Sequence, residues 1–586
     1  ADGAGAAADG GAGASAGAGA GACAEAWCNR CSLAPGLRQA FAEYCAGHDI
    51  RLDAQEGALL LFLHAYLDVA FPQHTHLNSA AVRAVSVLHV VDHVLKATSE
   101  VLRNTAAAGK ARGDGRGAGA EENHGGPAAD LGFSRPRVLI LCPFRSACHE
   151  IVNAFVAMCP GKRQVLNRKR FEEEFGPGSD DEAEAADEAK GAEWQHHFRG
   201  NSDDRFRVGL ALGRKAVRLY SPFDKSDVLV CSPLGLRQIT GAAGDRQREF
   251  DFLSSIEVCV VDRADVLRMQ NWEHVQEVVK VVNHKPLALK GIDITRLRPA
   301  FADGRAREFR QTVVTSAGES LDAEALFVEG PGDYTPAPAK RNLRQRLNSG
   351  LAFSRKNRRG DMDSDDEEAV EEAPTNLAAA AASSSVHLAR RGFVRLAHAQ
   401  AGEPLRRASS AGIAKQFFLH VACSGAQEQG DTMFQTFLDK YWTPLGSSLE
   451  RLLIVANSYF SFLQLRRFFR EEGVSFCSAF EYSKNQDLSR ARFRFFHGQR
   501  RVLLVTERFL WYRRYRLKGA DYVLFYGPPE TPDIYEQVLG GVRTPSQCNA
   551  MCLFSRLDGF ALERVVGHER ARRMLVAPAG KVFLFS

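Results

Sequence analysis

Nowhere in the 586 residues does an apolar run reach the roughly eighteen positions that a membrane-spanning helix requires. The longest attempt, from Gly57 to Phe71, carries His64 and Asp68 and stops at Pro72, so a bilayer-spanning helix is excluded. The opening residues lack the basic stretch and leucine-rich core of a secretory signal, which gives no expectation of export. Cysteine is sparse: 13 residues scattered over this length form no disulfide framework, and a reducing compartment with free thiols is the expected setting. No sign of charge dominates, since 75 Lys and Arg stand against 70 Asp and Glu for a net +5. That figure is an average over strongly acidic and strongly basic segments. A hydrophobic content of 45% with 25% charged residues excludes disorder throughout, and excludes a fibrous protein.

What is present is organised in blocks. Gly and Ala fill 21 of the first 26 positions, giving a tail over 1–35 expected to be disordered. From Gly57 to Thr105 apolar residues recur at three and four, as in Val82, Val85, Leu88, Val91 and Leu95, which predicts helices. His89 and His93, one turn apart there with no third ligand in view, read as flanking a core stripe. The predicted helical extension, with its loop, covers 36–130. Next come short apolar runs, each followed by a turn residue and a helical pattern: Val138 to Leu141, Val228 to Cys231, Val258 to Val261 and Thr312 to Thr315. Buried parallel strands feeding helices look like this in sequence, so an α/β domain is expected over 131–330, with a solvated acidic insertion at 177–193. Residues 331–410 hold a basic block, an acidic block and an Ala-Ser tract, and are expected to be a disordered linker whose Arg355 to Arg359 cluster suits nuclear import. The α/β rhythm resumes over 411–586, with strands at Leu452 to Ala456, Val502 to Thr506 and Tyr522 to Tyr526 and a helix from Phe460 to Arg470.

Two tandem α/β domains raise the question of a nucleotide-driven motor. A phosphate loop needs G-x-x-x-x-G-K-[ST], because backbone N–H groups cradle the phosphates, the Lys meets their charge and the hydroxyl ligates Mg²⁺. The three Gly-Lys pairs, at Gly109, Gly161 and Gly580, lack both the first Gly and the hydroxyl residue. Other segments resemble DEAD-box RNA helicases: Val138 to Arg145 and Ser232 to Arg237 resemble the loops that grip RNA, Asp262-Arg263-Ala264-Asp265 stands at the Asp-Glu-Ala-Asp box, and Ser316-Ala317 at the Ser-Ala-Thr motif. Arg263 replaces the Glu that would orient the attacking water, and a permanent cation cannot do so. At the arginine-finger run the sequence offers Val538 and Gly541, with Arg543 out of register. ATP hydrolysis is therefore not expected, and no cofactor is.

An intact helicase framework without ATP chemistry, together with phrases such as Met269-Gln-Asn-Trp-Glu-His274, Leu219-Tyr-Ser-Pro-Phe223 and Ser489-Arg-Ala-Arg492, closely resembles the digestive-organ-expansion-factor family of small-nucleolar-RNA-associated proteins. The resemblance runs from about Tyr66 to Leu539, insertions excepted. It implies two tandem RecA-like domains of the helicase superfamily 2 type and a nucleolar, non-catalytic subunit of the small-subunit processome. That subunit would bind pre-ribosomal RNA, small nucleolar RNA and other processome proteins on the way to 18S RNA, with no membrane partner. A residual ATP-dependent RNA helicase and a pure protein scaffold are the competing readings.

Independently of the family, Arg490 to Lys518 carries ten Lys or Arg against the single acid Glu507, with seven aromatics interleaved. Cations meet phosphates and aromatic faces stack on unpaired bases, so the mixture suits single-stranded or irregular RNA. Arg145, Arg237, Arg490, Arg492, Arg508, Trp511, Arg513, Arg514 and Arg516 are the expected RNA contacts, whereas Phe493 and Phe496 are expected in the core. Cys28 and Cys31, followed after 13 residues by Cys45 and His48, have zinc-ligand spacing, but a resident metal is not the expectation.

Overall fold

The computed structural model describes residues 10–113, 129–178, 191–241, 245, 248–289, 293–327, 386–389, 393–396, 403–410, 412, 415–446 and 448–585. Most of the acidic insertion and of the linker, including the Arg355 to Arg359 cluster, therefore lies outside the described residues. The chain divides into two compact units, 1–397 and 398–586.

Unit 1 is built on a ten-stranded sheet ordered β3-β5-β4-β6-β2-β7-β8-β1-β10-β9. In chain order these strands are β1 Asp68–Phe71, β2 Val138–Leu141, β3 Gln164–Leu166, β4 Arg207–Leu212, β5 Ala216–Leu219, β6 Val228–Cys231, β7 Val258–Val261, β8 Gln311–Thr315, β9 Val386–Ala389 and β10 Phe393–Leu396. The central run from β6 through β1 to β10 is parallel, while β4 and β9 pair antiparallel. The helices used below are α1 Gly10–Cys28, α2 Leu37–Gly47, α3 Ala54–His64, α4 Ser79–Gly113, α5 Arg145–Met158, α6 Ala192–Phe198, α7 Pro233–Thr240 and α8 Ala264–Val281. Both faces of the sheet are covered, as a parallel sheet requires. Along β2, Val138 and Ile140 join the core under α1–α5, while Leu139 and Leu141 join the core under α8.

Three departures from the sequence reading concern this unit. Residues 57–105, expected as helices alone, contain β1, which sits between β8 and β10. Its Asp68 is buried and its carboxylate accepts the Thr312 amide at 2.8 Å, so a residue that looked like a break in an apolar stripe fixes strand pairing. The Gly/Ala-rich opening supplies α1 as far as Cys28, because small side chains let it approach its neighbours closely. A Cβ on Gly57 of α3 would lie 2.2 Å from the Trp27 ring. Finally, β9 and β10 fall inside the span read as linker, as does the helix Glu403–Ser410 of unit 2.

Unit 2 is a seven-stranded sheet ordered β13-β14-β12-β15-β16-β11-β17. The strands are β11 Lys415–His420, β12 Leu452–Ala456, β13 Phe476–Ala479, β14 Val502–Thr506, β15 Tyr522–Tyr526, β16 Asn549–Phe554 and β17 Val582–Phe585, all parallel except β17. The helices used below are α9 Tyr459–Glu471, α10 Asn485–Phe496, α11 Glu507–Arg513 and α12 Pro532–Leu539. Among the described residues no helix is long and apolar enough to cross a membrane.

Candidate functional site: a closed phosphate position and a basic, aromatic helix

In open α/β sheets, ligands bind beyond the carboxyl ends of the strands, and a phosphate loop joins a strand to a helix. Unit 1 has that local architecture in β1, residues 72–78 and α4. The strand is in register with β8, Phe71 opposite Thr315, so the loop lies beside the ends of β7 and β8. It reads Pro72 to Asn78 without Gly or Lys. In place of a ring of amides aimed outward, the His74 amide donates to the Ser316 carbonyl at 2.9 Å and the Ser316 amide to that of Phe71 at 3.0 Å. His74 is fully buried, with Nδ1 2.9 Å from Thr315 Oγ1 and Nε2 3.0 Å from Ser79 Oγ. Burial, aided by nearby arginines, holds this imidazole well below its usual range, so it is neutral.

The charges around it are paired internally. Arg83, on the second turn of α4, donates from Nε and Nη2 to Asp262 Oδ2 at 3.1 and 2.9 Å, and from Nη1 to Glu150. Burial disfavours its charge, but Asp262 and Glu150 outweigh that and raise its pKa. The carboxylate that the helicase resemblance assigns to Mg²⁺ is thus neutralised by a guanidinium 179 positions away in the chain. Arg263 adopts a left-handed backbone (φ 55°) and turns its side chain inward. Its Nε and Nη2 donate to the two Asp265 oxygens at 3.0 and 2.5 Å, and Nη2 also meets His197 Nε2 of α6 at 3.0 Å. Burial opposes ionisation of Asp265, yet Arg263 holds its pKa below the usual range. Asp265 accepts the Ala317 amide at 3.0 Å, the Arg263 amide donates to Thr315 Oγ1 at 3.2 Å, and Ala264 starts α8 fully buried. The box residues and Ser316-Ala317 come together through Thr315 and Asp265. They form a locked ion-pair network, and α6, which sequence reasoning left without a role, contributes to it. His196 of α6 is pushed down to about 4 by burial and by Arg83.

Of the nine expected RNA contacts, two lie in unit 1 and seven in unit 2. Arg145 is held by Asp203 at 2.9 Å and by the Glu174 carbonyl at 3.1 Å, and Arg237 by His274 at 3.2 Å. In unit 2, Trp511 is 3% exposed and Arg514 is buried, with the Thr506 hydroxyl capping α11 through the Phe509 amide. This overturns Trp511 as a stacking platform: α11 places Phe509, Leu510 and Trp511 together in the interior. Arg508 and Arg513 are half-buried, and Arg492 lies over the Tyr515 ring at 4.5 Å. Arg490 and Arg516 are exposed. The expected core pair is also reversed. Phe493 and Phe496 are 57% and 49% exposed, whereas Phe495, absent from the expected contacts, is 1% exposed. The buried stripe of α10 is Leu488, Ala491 and Phe495, at spacings of three and four, which leaves 493 and 496 outside it.

The exposed side of α10 therefore presents Phe493 and Phe496 among Arg490, Arg494 and His497, with the Phe493 and His497 rings 4.3 Å apart. A loop carrying exposed Arg516 and Lys518 reaches this end of the helix at Gly519. There φ is +98° and a Cβ would stand 3.2 Å from Phe496 Cα, so only glycine allows the approach. Arg451 donates to the Phe496 carbonyl at 2.8 Å. Arg543, the would-be finger, donates bidentately to Asp521 at 2.9 and 2.9 Å.

Cys28, Cys31 and Cys45 are buried thiols, pushed up to about 12, 11 and 12 chiefly by desolvation. His48 Nδ1 turns to the Tyr44 carbonyl at 2.9 Å. Among the described residues no three His, Cys, Asp or Glu side chains converge as metal ligands. His89 and His93 are core residues, the first bonded to Gln311 at 2.7 Å and the second to the Tyr66 hydroxyl through Nδ1 at 2.9 Å.

Two family descriptions match the chain: "UTP25, NTP hydrolase-like domain" over residues 66–334, and "Utp25, C-terminal domain" over 410–585. The U3 small nucleolar RNA-associated protein 25 homolog of Mus musculus is 32% identical over 531 residues, covering 89% of this chain and 60% of the mouse protein. That of Homo sapiens is 31% identical over 528 residues, covering 88% and 61%. The Schizosaccharomyces pombe protein of the same name is 31% identical over 518 residues, covering 87% and 68%. The chain thus spans about 60% of the length of the two mammalian relatives. A DEAD box protein from Methanococcus jannaschii aligns over 93% of this chain and 96% of its own, at 11% identity and a TM-score of 0.25, too slight a likeness to argue from. With two parallel α/β units, both family descriptions matched and a relative at 31% identity covered over two thirds of its length, this chain belongs to the UTP25 family.

Proposed function

We propose that the chain is a non-catalytic, helicase-like subunit of the small-subunit processome, acting in the nucleolus with U3 small nucleolar RNA in the processing of pre-ribosomal RNA to 18S RNA. The observation that carries the non-catalytic reading is the Arg83–Asp262 pair, continued by Arg263–Asp265. Asp262, the carboxylate that would organise Mg²⁺, and its box neighbour Asp265 are each neutralised by an arginine of this chain, and the His74 amide at the phosphate position is spent on the Ser316 carbonyl. The names of the relatives support the association with U3 RNA.

RNA binding is assigned to the exposed side of α10 and the adjoining loop: Arg490, Phe493, Arg494, Phe496, His497 and Lys518. Each stacked base is worth about 1–3 kcal/mol, and each neutralised phosphate adds roughly 0.7 to the salt dependence of single-strand binding. Two measurements on the purified chain test the reading. Equilibrium binding of labelled ATP and RNA-stimulated hydrolysis should both be undetectable, and micromolar affinity with turnover would return the chain to the active helicases. In-cell crosslinking should recover pre-ribosomal RNA, and loss of RNA crosslinks from the whole chain would favour a pure protein scaffold.

A further inference from the structure

At the opposite, amino-terminal edge of the unit 1 sheet, ahead of β2 and β6, the described residues enclose a cleft of about 1070 Å³. Its apolar lining comes from Val101 and Leu102 of α4 with Phe133, Pro222, Phe223 and Phe252. Leu102 is 41% exposed at the mouth. The two arginines in the wall are paired with carboxylates, Arg137 in the interior and Arg135 half-exposed. Arg135 donates to both oxygens of Asp227 at 2.8 and 3.0 Å, and Arg137 donates to Glu257 at 2.7 Å. Asp224 and Glu249 are exposed on the rim, beside Arg135, whose charge Asp227 balances. Asp251 completes the rim, its carboxylate accepting the Leu287 and Ala288 amides at 2.8 and 3.1 Å while the Leu287 side chain is left exposed.

An apolar, aromatic lining inside a polar rim is the anatomy of a protein-docking site, in which anchors fill the pocket and rim charges select the partner. Carboxylates at the mouth repel phosphate, so this surface and α10 of unit 2 are suited to different ligands. We propose that the cleft docks a basic, leucine-bearing peptide segment of a protein partner. Its apolar side chains lie on the phenylalanine lining and its Lys or Arg side chains face Asp224, Glu249 and Asp251. The site goes beyond the processome reading, since it would hold whether or not unit 2 binds RNA.

Replacing Leu102 by p-benzoylphenylalanine in the full chain, irradiating cells and sequencing the crosslinked peptides by mass spectrometry tests this. The expected product is a Lys- and Arg-rich, leucine-containing peptide from another protein. Its yield should fall about fivefold or more in Asp224→Lys/Glu249→Lys, and by less in Asp224→Asn/Glu249→Gln. Both positions are exposed, and an unchanged melting temperature certifies that each double variant folds. Crosslinks to RNA, to this chain's own segments or to acidic peptides would overturn the proposal. So would a yield indifferent to charge reversal, or no protein crosslink at all.

Discussion

Replacing Arg83 by methionine keeps the length of the side chain and removes its charge. Asp262, buried at 4% exposure, would then retain only His74 Nδ1 at 3.5 Å and the Thr315 hydroxyl at 3.4 Å. Neither the neutral imidazole nor a long hydroxyl contact replaces a guanidinium bound through two nitrogens. Stranding a buried carboxylate in this way costs about 3–5 kcal/mol. For a unit of this size each kcal/mol moves the melting temperature by roughly 2 °C, so a fall of about 6–10 °C is expected. The loss of Glu150 as a second partner adds little, because that carboxylate is half-exposed. Adding Asp262→Asn removes the stranded charge and should restore most of the loss, giving a coupling of about 3 kcal/mol or more in the double-mutant cycle. Scanning fluorimetry of the full chain measures the shift, and hydrogen exchange over β7 and β8 assigns it to this site. If the single variant melts within about 2 °C of the wild type, or the double variant is no better than the single, the ion pair does not hold the closed phosphate position and the reasoning fails.

Glu507 is a buried carboxyl pushed up to about 8, first by desolvation and then by Glu530. A pKa raised on folding gives stability that is complete below the unfolded value and is lost as pH rises through the folded one. Wild-type stability should therefore fall between about pH 4.5 and 8, and Glu507→Gln should flatten that slope in denaturant titrations; equal slopes would remove Glu507 as the cause. The thiols of Cys28, Cys31 and Cys45 should resist maleimide in the native protein at pH 8 and react once it is denatured, and rapid native labelling would contradict their burial. Gly57→Val must drive Trp27 off α3 and should cost about 1–3 kcal/mol, with faster proteolysis at residues 29–36 as the local sign. On α10, Phe493→Ala/Phe496→Ala should weaken single-stranded RNA binding about tenfold or more in fluorescence anisotropy without lowering the melting temperature. A large thermal loss would mean that these rings are structural after all.

How much was legible depended on where each signal was local. The strands β2, β6, β7, β12, β14 and β15 stand where continuous apolar runs put them, because a strand buried on both faces writes its whole length in Val, Ile and Leu. β1 has four residues, one of them Asp68, and helical patterns on either side, so its neighbours' periodicity concealed it. The aromatics of α10 misled for a related reason. Three phenylalanines within four positions fit two helical faces, and only the packing of Leu488 and Ala491 against the sheet selects Phe495 as the buried one.

By itself the sequence determined the α/β class of both units, the absence of a phosphate-loop sequence and the replacement of the box glutamate by Arg263. These are properties of residue type and short-range spacing, and folding cannot alter them. Only the tertiary structure decided what fills the resulting vacancy. The partners Arg83 and Asp262, and Arg263 and His197, are brought together by strand register and helix packing across 179 and 66 positions of chain. A periodicity read within one segment carries no information about which distant charge it will meet.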